Sequence, residues 1–342
     1  MASLPIHLVD APLTEPVISV DGFWPQPGLN LSHWPGNTTP RELKHALSTG
    51  IALAFVKLPT ARQAELTRGC VALANNHHDT DGCCALFVLA HPDAALHRER
   101  ALLDAAAAGD FFRFPSERAF AIDCVVNGLA DPERSPLRAR FAGLDDRARR
   151  ELATREAVRL LPELLDGALE PFAELWKAPL ERCLADRAAL STAARDELVH
   201  LDLGVWTSTT PDFAPGRHAF LGATDADRVL LLRTTAAGTT ARFVVNTTSW
   251  FEIPGRPAQP RPDLEALAAR LNALEGTRDS DEHAWRAQPV DSPSPELWFG
   301  RREHSFFAEH CAALAESRLD APTISAEVVE ALRAVWVFPE DA

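Results

Sequence analysis

The stretch Asn75-Asn76-His77-His78-Asp79-Thr80-Asp81-Gly82 separates two apolar segments of the chain. Val71-Ala72-Leu73-Ala74 comes before it and has the length of a buried strand, while the apolar run over residues 83–90 predicts a helix. The octet at residues 75–82 is therefore predicted to form a strand-to-helix turn. Because open α/β sheets bind ligands beyond the carboxyl ends of their strands, this turn is predicted to carry the functional site.

Charged side chains alternate along the octet. His77, Asp79 and Asp81 project to one side of an extended backbone, and holding an imidazole and two carboxylates together in an apolar setting is costly without a cation. The pattern predicts that these three residues bind a divalent metal, with Asp81 and the neighbouring His78 as catalytic groups. The competing interpretation is a solvent-exposed turn in which Gly82 supplies a positive φ.

The sequence His77-x-Asp79-x-Asp81-Gly82 after a predicted strand resembles the first motif of the DHH-type phosphoesterase superfamily. The resemblance is local and covers roughly residues 70–125. It implies that this histidine and both aspartates help to bind a pair of manganese ions. The Asp-His-His motif that names the superfamily and the glycine- and histidine-rich signature of its usual C-terminal domain do not occur in this chain. The resemblance therefore implies a divergent protein whose substrate does not follow from the family.

Two further carboxylates are predicted to be metal ligands. Asp110 follows an alanine-rich predicted helix over residues 94–108, which can run back towards the octet. Asp123 ends a predicted strand over residues 119–123, the commoner place for a catalytic carboxylate in an α/β sheet. If Asp110 shares an ion with the octet, one of its oxygens should lie within about 5 Å of an octet carboxylate.

The formal net charge of the chain is −14. Such a chain repels a polyanion, so long nucleic acid is not an expected partner. A small anionic substrate remains compatible, because a metal and one or two arginines can bind it. Arg301, Arg302 and His304, at the start of a helix predicted from Trp298, are the candidate substrate-binding residues, since guanidinium groups are preferred phosphate clamps. The competing interpretation is an ordinary charged surface.

The six cysteines show no Cys-x-x-Cys pair and no regular spacing, which argues against a zinc cage or a disulfide framework. No basic leader opens the sequence, and no run approaches the ~18 to 20 apolar residues of a membrane helix. A cytoplasmic protein without a membrane partner is therefore expected. The sequence leaves the oligomeric state open.

The fold class predicted is α/β, because apolar strand-like runs alternate with helical patterns and 342 residues exceed the usual size of one core. We predict an α/β domain with a parallel sheet and the metal site over residues 1–145, a helical linker over 146–198, and a smaller α+β C-terminal domain over 199–342. Finer predictions are an extended arm over 1–40, strands over 51–56 and 199–206, a hairpin of 228–234 with 240–247, a helix over 263–274, a long polar loop over 275–296, and a last helix capped by Ser325 and ending near Trp336.

These observations favour a metal-dependent hydrolase, most directly a phosphoesterase acting on a small phosphorylated or nucleotide-like substrate. Oxygen-rich ligands with one imidazole suit Mn²⁺ or Mg²⁺ better than a thiolate-seeking metal, although Fe²⁺ is compatible. Such an ion polarises the substrate and lowers the pKa of an attacking water. Two alternatives stay open: the same cluster used for non-phosphate hydrolysis or iron-dependent oxygen activation in biosynthesis, and a non-catalytic binding module on a DHH-like scaffold.

Overall fold

The structure, a computed structural model, describes residues 4–11, 13–256 and 259–335. The chain divides into two compact units. The first comprises the chain up to Glu181 together with a short segment that begins at Phe251, and the second comprises the rest. The first contains a parallel sheet and the second a mixed sheet, which confirms the predicted two-domain α/β fold. No helix in the described part of the chain is both long and apolar enough to cross a membrane.

The sheet of the first unit has four parallel strands in the order β1-β4-β2-β3. The strands are β1 (Ile6–Leu8), β2 (Val17–Val20), β3 (Gly28–Leu31) and β4 (Leu73–Asn75). Three of them lie in residues 1–40, so the prediction of an extended arm there was wrong. Each strand has only three or four residues, and β2, β4 and most of β3 are buried, so these three show no period-two pattern of a half-exposed strand.

The described part of the first unit also contains seven helices: α1 (Ser48–Val56), α2 (Thr60–Leu66), α3 (Thr80–Ala90), α4 (Pro92–Leu96), α5 (Glu99–Phe111), α6 (Glu117–Gly128) and α7 (Asp146–Leu165). An eighth, α8 (Ala173–Thr192), begins in the first unit and continues in the second. Fully buried Ile51, Leu86, Val125 and Leu161 belong to one core with Leu31 of the sheet. Helix α7 is therefore part of this unit rather than of a linker.

Two predicted strands of the first unit are helices. Residues 51–56 belong to α1, and residues 119–123 belong to α6, which places Asp123 in the middle of a helix. Both segments are short apolar runs buried on most of their surface, and periodicity alone does not separate a buried strand from a buried helix. These two predictions were wrong for that reason.

The second unit contains a six-stranded sheet in the order β5-β6-β7-β8-β10-β9, in which only the β6–β7 pair is parallel. The strands are β5 (Ala194–Leu198), β6 (Leu203–Ser208), β7 (Arg228–Thr234), β8 (Thr239–Val245), β9 (Ala284–Ala287) and β10 (Glu296–Gly300), and the helices are α9 (Arg217–Leu221), α10 (Leu264–Glu275) and α11 (Ala321–Arg333). The predicted hairpin is confirmed as β7–β8, and the predicted helix over 263–274 as α10.

Other predictions for the second unit need correction. The strand predicted over 199–206 begins at Leu203, the polar loop contains β9, and the helix predicted from Trp298 is β10. The last helix begins earlier than predicted because Asp320 caps it, accepting a hydrogen bond from Thr323 N at 2.9 Å. Its predicted end near Trp336 lies outside the described residues.

Candidate metal centre

The octet forms the predicted strand-to-helix turn. Strand β4 ends at Asn75, and Asp79 is the N-cap of α3, with its Oδ1 accepting a hydrogen bond from Gly82 N at 2.9 Å. The other oxygen, Asp79 Oδ2, lies 2.9 Å from His77 Nε2. One oxygen of the Asp79 carboxylate therefore caps α3, and the other contacts His77.

A group of four side chains gathers beside this turn. Atoms of Asp21, His33, Asp81 and Asp110 that can bind a metal all lie within 4.8 Å of one another. His33 Nε2 is 3.3 Å from Asp21 Oδ1, 3.9 Å from Asp81 Oδ2 and 3.1 Å from Asp110 Oδ2. All four residues are buried. The proximity of Asp110 to Asp81 is the arrangement predicted for a shared ion.

A second group of three shares one member with the first. Asp21, His77 and Asp79 also place possible metal ligands within 4.8 Å of one another. Asp21 directs Oδ1 to His33 of the first group and Oδ2 to His77 of the second, at 3.3 Å in each case. The side chains of His77 and Asp79 are 27% and 28% exposed, so the second group faces solvent. Asp21 is therefore placed to bridge two ions.

Two of these residues were not predicted from the sequence. Asp21 follows β2 directly, with a left-handed backbone φ of +52°, and His33 follows β3 closely. Both project from the carboxyl ends of parallel strands, at the same edge of the sheet as the octet. An apolar run that ends in Asp21-Gly22 was the available signal, since Asp tolerates a positive φ better than most residues.

The hydrogen bonds of the histidines test whether a cation fits. His33 Nδ1 lies 2.6 Å from Ala46 O, so it must carry a proton, and the neutral ring then presents a lone pair at Nε2. Among the described residues, His33 Nε2 and Asp21 Oδ2 are buried atoms without a hydrogen bond, although charged partners are near. His77 likewise has Asn76 Oδ1 at 2.6 Å from Nδ1. Outer hydrogen bonds of this kind orient metal-binding histidines, so the donor set fits divalent cations.

The pKa values of the first group of side chains also favour a bound cation. Burial and the nearby Asp81 and Asp21 raise the pKa of Asp110 well above its usual range. Burial by itself lowers the pKa of His33, but the adjacent carboxylates of Asp110 and Asp21 raise it well above its usual value. The metal-free group thus retains protons that offset the repulsion between its carboxylates. A divalent cation would take over that role.

The pKa of His77 is raised, as is that of His33. Burial opposes its protonation, but the adjacent carboxylates of Asp79 and Asp21 raise its pKa well above the usual value. The ring of Trp34 lies 5.2 Å from that of His77, between centroids. An indole therefore borders the solvent-facing group.

Asp81 also accepts hydrogen bonds from backbone amides of α1. Its Oδ2 accepts a hydrogen bond from Ser48 N at 2.7 Å, and its Oδ1 accepts one from Thr49 N at 2.8 Å. These amides belong to the first turn of α1, where backbone N–H groups favour an anion. Asp81 thus joins α3 to α1 as well as facing the candidate metal centre.

Aromatic rings cover the buried side of the centre. Phe251 stacks on His33 with ring centroids 3.8 Å apart, and Phe111 meets Phe251 edge-on at 5.9 Å. Glu252 holds this segment in place, because its N donates to His33 O at 2.8 Å and its carboxylate accepts from Lys44 Nζ at 2.9 Å. The first group is therefore shielded from water by side chains of the same unit.

Two predicted site residues take other positions. His78 has Thr154 Oγ1 at 2.9 Å from Nδ1 and Val126 O at 2.8 Å from Nε2, so both ring nitrogens face neighbouring helices. Asp123 accepts hydrogen bonds from Thr80 Oγ1 at 2.5 Å and Asn127 Nδ2 at 2.9 Å and belongs to neither ligand group. The geometry corrects both assignments, because these side chains pack helices rather than face the centre.

The three predicted substrate-binding residues do not form one group. Arg301 and Arg302 are exposed, and Arg302 donates to Asp279 Oδ2 at 2.7 Å. The side chain of His304 is buried, with Nε2 at 2.8 Å from Glu296 Oε2. They follow a strand rather than open a helix, so their side chains diverge. Substrate binding by the two arginines stays a prediction.

The fold and the site together define a mixed α/β protein with a candidate dinuclear metal centre at the carboxyl edge of a parallel sheet. The chain belongs to a family described as a family of unknown function (DUF6687), whose model matches residues 9–341. No curated protein and no solved structure matches the chain.

Proposed function

We propose that this protein is a metal-dependent hydrolase with a two-ion centre, acting on a small phosphoester. The observation that carries the proposal is the position of Asp21, whose two carboxylate oxygens each lie 3.3 Å from a different histidine. Carboxylates shared between two ligand groups are typical of paired-ion sites in phosphatases and nucleases.

Each ion would have its own ligands. Asp21, His33, Asp81 and Asp110 would hold the buried ion, and Asp21, His77 and Asp79 the solvent-facing one. Carboxylate oxygens with one imidazole for each ion favour Mn²⁺ over a thiolate-seeking metal, with Mg²⁺ and Fe²⁺ as the next candidates. Ions of this kind supply Lewis acidity and a water with a lowered pKa.

The residues of the chain would bind and orient the substrate. The exposed side of His77 and Asp79 gives a route from solvent, and Trp34 beside it offers an apolar face. Asn75 Nδ2 is buried without a hydrogen-bond partner among the described residues and lies against Gly82. This amide is placed to donate a hydrogen bond to a substrate oxygen that gains negative charge.

A small anionic substrate follows from the charge of the chain. A formal net charge of −14 disfavours long nucleic acid, whereas two cations can attract a mononucleotide or a short phosphodiester. All six cysteines are free, as is usual in a reducing compartment, and we propose a cytoplasmic location.

The test begins with metal analysis of protein purified without chelator, followed by assays of mono- and diesters, including dinucleotides, with added Mn²⁺. We expect about two ions for each chain, as a two-ion site requires, and hydrolysis of at least one ester class. Asp21→Asn should reduce activity by more than about 100-fold, whereas Asp123→Asn, outside both ligand groups, should retain it. Metal-loaded protein that is inert towards every ester would overturn the proposal.

A further inference from the structure

A second polar cluster lies within the second unit. Atoms of Glu296, His304 and Cys311 that can bind a metal lie within 4.8 Å of one another. Glu296 comes from β10 and is fully buried, whereas Cys311 is 9% exposed. The proposed hydrolase uses none of these residues.

Two arginines donate hydrogen bonds to the carboxylate of Glu296 in this cluster. Arg217 Nη2 donates to Glu296 Oε1, and Arg242 donates from Nη2 to Oε1 at 2.8 Å and from Nε to Oε2 at 2.9 Å. Although burial opposes it, these guanidinium groups hold the pKa of Glu296 well below its usual range. A carboxylate bonded to two fixed cations is a poor ligand for a third cation. The cluster is therefore unlike the metal centre, despite its similar donor atoms.

The charges around the cluster leave an excess of positive charge. Burial lowers the pKa of His304, but hydrogen bonds to Cys311 and Glu296 outweigh it and raise that pKa to about 9. Three cations, Arg217, Arg242 and His304, thus face Glu296 and one further carboxylate, Glu309, which is itself bonded to His218 at 2.9 Å. An anion at the sulfur of Cys311 would balance this charge.

A small cavity gives access to the sulfur. Its volume is about 20 Å³, and its lining includes Cys311, Arg242, Phe213 and Leu314. This is room for about one water-sized molecule. A reactant that reaches Cys311 by this route must be small.

We propose that Cys311 is a nucleophile paired with His304, that Glu296 orients this histidine, and that the cluster reduces a small hydroperoxide. The thiolate Sγ attacks the terminal peroxide oxygen, so that an S–O bond forms and the O–O bond breaks. Cys311 is oxidised by two electrons to the sulfenic acid, and the peroxide is reduced to water or an alcohol. The leaving oxygen takes its proton from His304.

The other cysteines provide internal controls. Burial raises the pKa of Cys83 and Cys84 well above the usual value and that of Cys183 to about 12, and it also raises the pKa of Cys70. These thiols lack a comparable group of cations and should react slowly. Cys70 is the best reference because it is only partly buried.

The experiment treats the full-length protein with hydrogen peroxide, traps sulfenic acid with dimedone, and measures each cysteine by peptide mass spectrometry between pH 5.5 and 8.5. We expect Cys311 to be trapped at least tenfold faster than Cys70 at pH 6.5. Its rate should rise less across this range than that of Cys70, because Arg242 and His304 lie beside Cys311 and favour the reactive anion. His304→Gln should slow trapping at least tenfold and steepen the rise with pH, and Glu296→Gln should do so more weakly.

Arg270→Ala is the matched control, because this exposed arginine of α10 lies outside the cluster and pairs with Glu327. It should leave trapping of Cys311 unchanged. Trapping no faster than that of Cys70 in the native protein would overturn the proposal. So would stoichiometric Zn²⁺ binding that is lost in His304→Gln, because that result would make the cluster a metal site. The comparison of Cys311 with Cys70 needs only the native protein, so it decides the proposal even if a variant fails to fold.

Discussion

Asp21 Oδ2 lies 3.3 Å from His77 Nε2, and this contact joins the end of β2 to the octet after β4. The other oxygen of this carboxylate, Asp21 Oδ1, contacts His33 in the buried group. One side chain therefore couples a shielded ligand group to one that faces solvent. The first prediction follows from this shared position.

Asp21→Asn should weaken the binding of both ions. Asparagine has the same shape and tolerates the positive φ of this position, so the backbone should be unchanged. The amide nitrogen does not bind a cation, and we expect the affinity for Mn²⁺ to fall by more than about 100-fold at each site. Titration calorimetry measures this. Retention of one tight site would mean that Asp21 does not bridge.

Asp110→Asn should stabilise the metal-free protein while it weakens metal binding. Asp110 is buried near Asp21 and Asp81, and a neutral amide removes the repulsion that raises its pKa. A gain of ~1 kcal/mol would raise Tm by about 2–4 °C for a unit of this size. Calorimetric melting in EDTA measures the gain. A lower Tm in EDTA together with unchanged Mn²⁺ affinity would contradict the assignment of Asp110 as a ligand.

Metal binding should release protons and strengthen as the pH rises. The pKa values of His33, His77 and Asp110 are all raised, so the metal-free protein binds protons that the unfolded chain has lost. Their contribution to stability is present below the unfolded pKa values and is lost as the pH rises through the folded ones. For the histidines this loss begins above about pH 6.5.

The measurement compares Tm in Mn²⁺ and in EDTA between pH 6 and 8.5. The difference should widen with pH, because the ligands must lose their protons before they bind. Calorimetry in buffers of different ionisation enthalpy counts the protons released. A difference that narrows with pH would show that the titrating groups are not the ligands.

Gly82→Ala should abolish tight metal binding. A Cβ at this position would lie 2.2 Å from Asn75 Nδ2, 2.9 Å from Asp79 Oδ1 and 3.0 Å from Asp21 Oδ2. These side chains would have to move apart, which disturbs the second ligand group. Gly143→Ala is the matched control, since its Cβ meets no atom within 4 Å although its φ of +78° makes it strained. The control should lower Tm but keep its Mn²⁺ affinity; equal affinity in both variants would argue against the site.

The sequence by itself predicted the α/β class and the strand-to-helix turn at the octet. It did not predict that Asp81 lies in α3 and belongs to a different ligand group from His77 and Asp79. Local patterns also predicted the β7–β8 hairpin and α10, because these segments are long enough for their periodicity to be recognised. Local patterns did not distinguish a strand from a helix over residues 51–56 and 119–123, because segments buried on most sides show no periodicity.

The tertiary structure alone decided that Asp21 and His33 join the octet. Asp21 and His33 belong to strands too short to recognise, and they reach the site because parallel strands align their carboxyl ends at one edge. Asp110 was predicted to reach the octet by the return of the helix before it, and it lies in the last turn of α5 close to Asp81. Asp123 faces Thr80 instead, because α6 is a helix. The same packing turns His78 towards Val126. Side chains far apart in sequence come together only when the backbone elements that carry them have packed, and that packing depends on the whole core.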